Sequence, residues 1–133
     1  MMDVKIITPR GLYKACEAQQ VNARSVEGEF GLLTDHMPIV AMLAISKLEI
    51  ITASERKRYA VAGGMLYFQN NELRILTDSI ESEDEIDLER AKKAKERAER
   101  RLAMQESNIN MVRAEVALQK AINRIHVKEN KPM

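Results

Sequence analysis

The chain has 133 residues, 45% of them apolar and 31% charged, which suits one ordinary domain or a small domain with an appendage. It contains no run of eighteen apolar residues, no basic-then-apolar leader, one cysteine and two scattered histidines. A membrane span, a secretory signal, an internal disulfide and a zinc site are therefore not expected, and the lone Cys16 fits a reducing compartment.

Charge divides the chain in two. Residues 1–87 carry nine Lys/Arg against fourteen Asp/Glu, and residues 88–133 carry twelve against six. Such a split points to two parts with different partners. All three Tyr and both Phe precede residue 69, so the basic part lacks the aromatics on which single-stranded nucleic acid stacks. No nucleic-acid partner is expected.

The first eighty or so residues read as strands, because short apolar runs recur between turn signals at intervals of about eight to twelve residues. VKII (4–7) meets a turn at Thr8-Pro9-Arg10-Gly11, where Pro9 presets φ and Gly11 accepts the turn's exit. Leu12-Tyr13 resumes, residues 21–26 run to a break at Glu27-Gly28, and 39–43 and 48–52 are short apolar strands. Residues 58–62 lead into Gly63-Gly64, read as a turn. MLYFQ-NN-ELRIL (65–76) is a hairpin, since Asn70-Asn71 tolerates the positive φ of a two-residue turn. Leu66 and Phe68 should share one face with Leu73 and Ile75 on the partner strand.

At Ser79 the pattern changes. Ser82-Glu83-Asp84-Glu85 fits a capping box, and five acids among residues 81–87 complement a helix N-terminus. No Gly or Pro follows until Pro132. Ala91, Ala94, Ala98 and Leu102 form a thin stripe at helical spacing. Ser107-Asn108-Ile109-Asn110 is the expected turn, and Met111, Ala114, Leu118, Ala121 and Ile125 give a second stripe. Two helices with small facing residues make an antiparallel αα-hairpin. The fold class is thus α+β: an antiparallel β-sandwich over 1–82 and a two-helix hairpin over 83–133. Alanine burial glues helices weakly, at ~0.8 kcal/mol per buried methyl. Ala, Glu, Lys and Arg nevertheless favour helix strongly, so physics alone leaves two expectations, a hairpin that docks and opens as a two-state element and a static tail that stays docked.

GEFGLLTDHMPIV (28–40) resembles the signature Gly-Glu-x-Gly-Ile-Leu-Pro-Gly-His-x-Pro of the epsilon subunit of F-type ATP synthase. The sandwich, Gly63-Gly64, the Ile86-Asp87-x-x-Arg90-Ala91 start and the hairpin follow in that family's order, over residues 3–127. Thr34-Asp35 departs from the usual Pro-Gly, so this loop is expected to be less rigid.

The resemblance implies a ten-stranded β-sandwich followed by two helices, and a non-catalytic subunit. It implies binding to the gamma subunit of the central rotor and to the membrane rotor ring, with Gly28, Glu29 and His36 as ring contacts. It also implies a hairpin that extends toward the catalytic beta subunit to inhibit ATP hydrolysis, and that binds ATP, with or without Mg, as a regulatory ligand when folded. Position by position, the nucleotide site falls on Glu81, Ile86, Asp87, Arg90, Ala91, Arg97, Lys120 and Arg124. Lys120 stands where strong ATP binders carry Arg; it keeps the charge but loses the planar fork, which lowers the expected affinity. The implied location is peripheral, on the cytoplasmic face of the plasma membrane.

Read from chemistry alone, His36 is a hydrogen-bonded turn residue rather than a proton carrier. Glu89–Lys93 and Glu96–Arg100 are favourable i,i+4 pairs. Arg90, Arg97, Lys120 and Arg124 could converge on one anion, for guanidinium groups bind phosphate bidentately. No Gly-rich phosphate loop occurs, which argues against ATP hydrolysis by this chain alone, and no metal site is expected. The alternative from another class is a free-standing ATP-sensing module.

Overall fold

The computed structural model describes residues 1–104 and 108–129. Two compact units emerge, Met1–Ser82 and Glu83–Met133.

The first unit is built on strict alternation. In β1 (Met2–Thr8), Met2, Val4 and Ile6 are buried while Asp3 and Lys5 face water, the period-2 pattern of a half-buried strand. It pairs antiparallel with β2 (Gly11–Ala18) and in parallel with β7 (Glu72–Leu76). The expected hairpin forms between β6 (Arg56–Gln69) and β7, with Asn70 at φ 52° and Asn71 at φ 59°. Leu66 faces Ile75 and Phe68 faces Leu73, all at most 2% exposed. The remaining strands are β3 (Gln20–Ser25), β4 (Gly28–Leu33), β5 (Ile39–Ile51) and β8 (Ile80–Ser82), and the sheet runs β2-β1-β7-β6-β5-β3-β4 with β8 beside β6.

Gly63-Gly64 is not a turn. It lies inside β6, with φ of 83° and 128°. Strands β5 and β6 pair over 39–43 with 64–68, skip one position, and resume over 45–51 with 56–62. The positive-φ pair bends a continuous strand so that it serves both layers of the sandwich, as corner strands do. One layer holds β2, β1 and β7 with the adjoining halves of β6 and β5; the other holds β8, β3 and β4 with the remaining halves. This accounts for eight strands where the resemblance implies ten, since two long strands each run where two short ones were expected. The Thr77 hydroxyl, 5% exposed, locks the corner by donating to Gly63 O at 2.6 Å.

β8 was not legible in the acidic run. It carries one buried residue, Ile80, and pairs Tyr59–Val61 only through three positions. A single 3₁₀ turn (Glu83–Glu85) follows, and α1 (Leu88–Met104) starts later than the capping box suggested. The cap is Asp87, whose carboxylate accepts the Arg90 N–H at 3.1 Å, because Ser82 is engaged in the strand.

The second helix, α2 (Asn108–Glu129), includes Asn108, Ile109 and Asn110, which were expected in the turn; Ser107 lies outside the described residues. Neither Gly nor Pro is present to stop helical backbone there. With α1 ending at Met104 and α2 starting at Asn108, two packed helices can only run antiparallel. Ala91 and Ala98 on α1 and Ala114 and Ala121 on α2 are at most 3% exposed and form the seam. The far end of α2 is tied back by Lys128 Nζ, which donates to Glu83 O at 3.0 Å. Glu89, Lys93, Glu96 and Arg100 are all exposed, and neither expected ion pair closes; water screens such pairs to near zero worth.

Candidate functional site

Three surfaces carry chemistry. The first is the outer face of the layer containing β1. Cross-strand register sets Met42, Met65, Leu76, Ile7 and Leu12 side by side on five successive strands. Met42 is 57% and Leu12 61% exposed, and the others are half-buried or exposed. Val26 extends this row, since its N–H donates to Met42 O at 2.9 Å and its side chain is exposed. The next row across the strands reads Val40, Tyr67, Arg74, Lys5, Ala15, and the one beyond reads Gln69, Glu72, Asp3, Glu17. The face is therefore banded from apolar through basic to acidic. An apolar row this long on a soluble sheet marks a contact surface.

The second surface comprises the ends of β4. The segment 28–38, expected as one loop, is a strand followed by a turn: Leu32 is fully buried while Gly31 and Leu33 face outward. Gly28 and Glu29 lie at the β3–β4 turn, opposite Ser25 and Arg24, whereas His36 lies beyond the other end of the strand. The structure thus does not bring the three expected ring contacts together. His36 is a hydrogen-bonded turn residue: its N–H donates to Leu33 O at 3.1 Å, its Nδ1 lies 2.7 Å from Met37 O, and its ring meets Phe68 edge to face at 6.1 Å.

The third surface is one flank of the hairpin. Helical geometry advances 100° per residue, so a position just before an inward-facing alanine lies on one side of the seam. Arg90 precedes Ala91, Arg97 precedes Ala98, Lys120 precedes Ala121, and Arg124 lies three beyond it. In an antiparallel pair equal offsets fall on the same side, so all four bases share one flank. Counted back from the helix ends at Met104 and Asn108, Ala91 stands level with Ala121 and Ala98 with Ala114, which puts Arg90, Lys120 and Arg124 at one level and Arg97 two turns away, ~10 Å along the axis. The same offsets bring in Arg101 and Arg113, which the sequence reading passed over. Their signal was the phase of the alanines, legible only once the inward ones are known. The one acid on this flank among the described residues is Asp87, already engaged as a cap.

The other flank mixes apolar side chains with Lys92, Lys95, Glu99 and Glu115. Leu88, Leu102, Met111, Leu118, Ile122 and Ile125, all half-buried, fall there by the same counting. Of the remaining expected nucleotide contacts, Ile86 and Ala91 are each 3% exposed, so a ligand would reach their backbone rather than their side chains. Glu81 belongs to β8 of the sandwich unit, paired with Ala60. Burial pushes the Cys16 thiol above its ordinary value despite the opposing charges of Lys14 and Lys57. Among the described residues no His, Cys, Asp and Glu grouping could hold a metal, and no helix is long and apolar enough to cross a membrane.

Two family models match in succession: "ATP synthase, Delta/Epsilon chain, beta-sandwich domain" over residues 1–83 and "ATP synthase, Delta/Epsilon chain, long alpha-helix domain" over residues 84–129. A relative named ATP synthase epsilon chain from Lactobacillus gasseri is 39% identical over 98% of this chain and 94% of its own length. One of the same name from Desulforamulus reducens is 41% identical over 93% of this chain and 94% of its own. A chain of the Euglena gracilis mitochondrial ATP synthase, from a cryo-electron microscopy structure of OSCP/F1/c-ring in rotational state 1, has a TM-score of 0.82. It is 23% identical and covers 92% of this chain and 78% of that one, a likeness of fold.

Proposed function

The chain belongs to the ATP synthase delta/epsilon-chain family, and from that premise we propose how its surfaces divide the work of a non-catalytic central-stalk subunit. The sandwich anchors the chain to the rotor, docking on the gamma subunit through the banded outer face and meeting the membrane rotor ring through the ends of β4. It thereby helps couple proton flow to ATP synthesis. The hairpin regulates: its basic flank takes ATP when folded and an acidic segment of the catalytic beta subunit when extended, where it inhibits ATP hydrolysis. The chain works at the cytoplasmic face of the plasma membrane, as a peripheral part of the complex.

The observation that carries the anchoring role is the apolar row Leu12–Ile7–Leu76–Met65–Met42. Desolvating such a row on a partner is favourable, and the basic and acidic bands beside it fix one orientation. The geometry also favours separate tasks for the two ends of β4, because Glu29 adjoins the apolar row's Val26 end while His36 does not.

The regulatory role draws on the second observation, the gathering of Arg90, Arg97, Arg101, Arg113, Lys120 and Arg124 on one flank. The same cations can serve a triphosphate or an acidic helix, but not both at once. Each ligand shifts the hairpin only by its differential affinity for the two forms.

The anchoring test is Met42→Glu and Leu76→Glu, assayed by co-elution with purified gamma subunit. A carboxylate placed in the centre of such a contact should cost about 3 kcal/mol, ~100-fold in affinity, while the melting temperature stays within a few degrees because both sites face water. If gamma bound both variants as tightly as the parent, this face would not be the anchor.

A further inference from the structure

We propose that Asn71 is a positioning residue for the turn at residues 34–38, holding it through a reciprocal clasp with Asp35. The proposal rests on the reading of that turn as a rotor contact. The Asp35 N–H donates to Asn71 Oδ1 at 2.6 Å, and Asn71 Nδ2 donates to Asp35 Oδ1 at 2.9 Å. The two residues are 36 positions apart and belong to different turns. Both have left-handed backbone, φ 68° at Asp35 and φ 59° at Asn71. A third strand joins them, since the Asp3 N–H donates to Asn71 O at 2.8 Å.

The clasp does what local sequence here does not. Where the resemblance expects Pro-Gly, with φ fixed by one residue and freed by the next, this chain has Thr34-Asp35. Asx residues tolerate left-handed backbone and bond local donors. Here the bond goes instead to a turn fixed by its own hairpin, so the turn is held from outside. This reverses the expectation of a looser loop. His36 is held from a second direction by the Phe68 ring.

The role is presentation rather than fold stability. Thr34, Asp35, His36, Met37 and Pro38 are all exposed, and Met37 is 76% exposed. Bonds this wet contribute little to folding. An exposed turn held in one geometry binds a partner without the cost of ordering at the moment of contact. The clasp thus sets how Met37 and His36 meet the rotor.

Asn71→Gly removes both arms and Asp35→Gly removes only the one that Asn71 Nδ2 makes, each keeping a residue that accepts positive φ. The test is made on the full chain, singly and doubly substituted. Two readouts are needed: amide exchange at positions 35–37, and affinity for the detergent-solubilised rotor ring in the presence of gamma. Asn71→Gly should speed exchange at those amides at least tenfold and weaken ring binding about tenfold, and Asp35→Gly, which keeps the backbone N–H on Asn71 Oδ1, should do less of both. The double variant should be no worse than Asn71→Gly, which already removes both arms. A melting temperature within a few degrees of the parent separates positioning from stability. Unchanged exchange in Asn71→Gly would overturn the clasp, whatever the partner does. Faster exchange with undiminished ring affinity would overturn its role in presentation. A parent chain that binds gamma but not the ring would overturn the ring reading, leaving the exchange readout to decide the clasp.

Discussion

Gly64→Ala should unfold the sandwich at temperatures where the parent is stable, whereas Gly11→Ala should cost only the backbone strain of its positive φ. Both glycines have positive φ, 128° and 114°. Their surroundings differ. A Cβ on Gly64 would collide with the Leu76 carbonyl oxygen and come within 3.0 Å of Thr77 Cα, both backbone. A Cβ on Gly11 meets nothing within 4 Å. Backbone strain alone costs about 1–2 kcal/mol. At Gly64 the collision adds to it, because relief would part β6 from β7 beside the corner, where Thr77 bonds Gly63. A total above ~3 kcal/mol is expected, or roughly 12–25 °C in the melting of a domain this size. Thermal denaturation of the two variants checks the contrast; equal melting temperatures would mean the corner is not close-packed.

The second large effect lies on the hairpin. Arg90→Ala, Arg97→Ala and Arg124→Ala together should abolish measurable binding of Mg-ATP to the purified chain in a calorimetric titration. A charge-assisted bond is worth about 1.5–3 kcal/mol, so losing even two of them costs more than ~100-fold. Arg90 and Arg124 share a level with Lys120 and should dominate; Arg97, two turns off, should matter less for a compact anion and more for an extended triphosphate. Lys120→Arg should strengthen binding several-fold, since it restores the bidentate fork. All these affinities should fall as salt rises. The folded helices themselves should survive the triple change, because alanine is the better helix former and the seam is untouched. Binding that persisted in the triple variant would place any nucleotide elsewhere.

Elements with one dominant period were legible before the structure. The β6–β7 hairpin could be read because Asn-Asn and the alternation of Leu66, Phe68, Leu73 and Ile75 all agree. The two helices could be read because their apolar residues recur at three and four without a breaker. What escaped depends on tertiary context. A Gly-Gly pair signals a turn by local grammar, and only the packing of Leu76 and Thr77 against it keeps β6 running through. β8 holds one buried residue, too few to show a period. Asp87 displaced Ser82 as the cap because Ser82 closes β8 and a 3₁₀ turn over Glu83–Glu85 precedes the helix. The clasp between Asp35 and Asn71 spans two turns distant in sequence and leaves no mark on either. Of the site, the grouping of Arg90, Arg97, Lys120 and Arg124 could be read from their spacing, and the full flank could not. Arg101 and Arg113 join the basic flank only through the phase of the alanines, and Glu29 and His36 part only because Leu32 makes the segment between them a strand.

In the proposed regulation, one basic flank answers alternately to ATP and to the catalytic beta subunit. The direct measurement is ATP hydrolysis by the alpha–beta–gamma core complex titrated with the full chain, at micromolar and millimolar ATP. The account predicts saturable inhibition at low ATP, relief at high ATP, and loss of inhibition in the Arg90/Arg97/Arg124→Ala chain even though that chain still binds gamma. Hydrolysis that is the same with and without bound chain, at every ATP concentration, would contradict it.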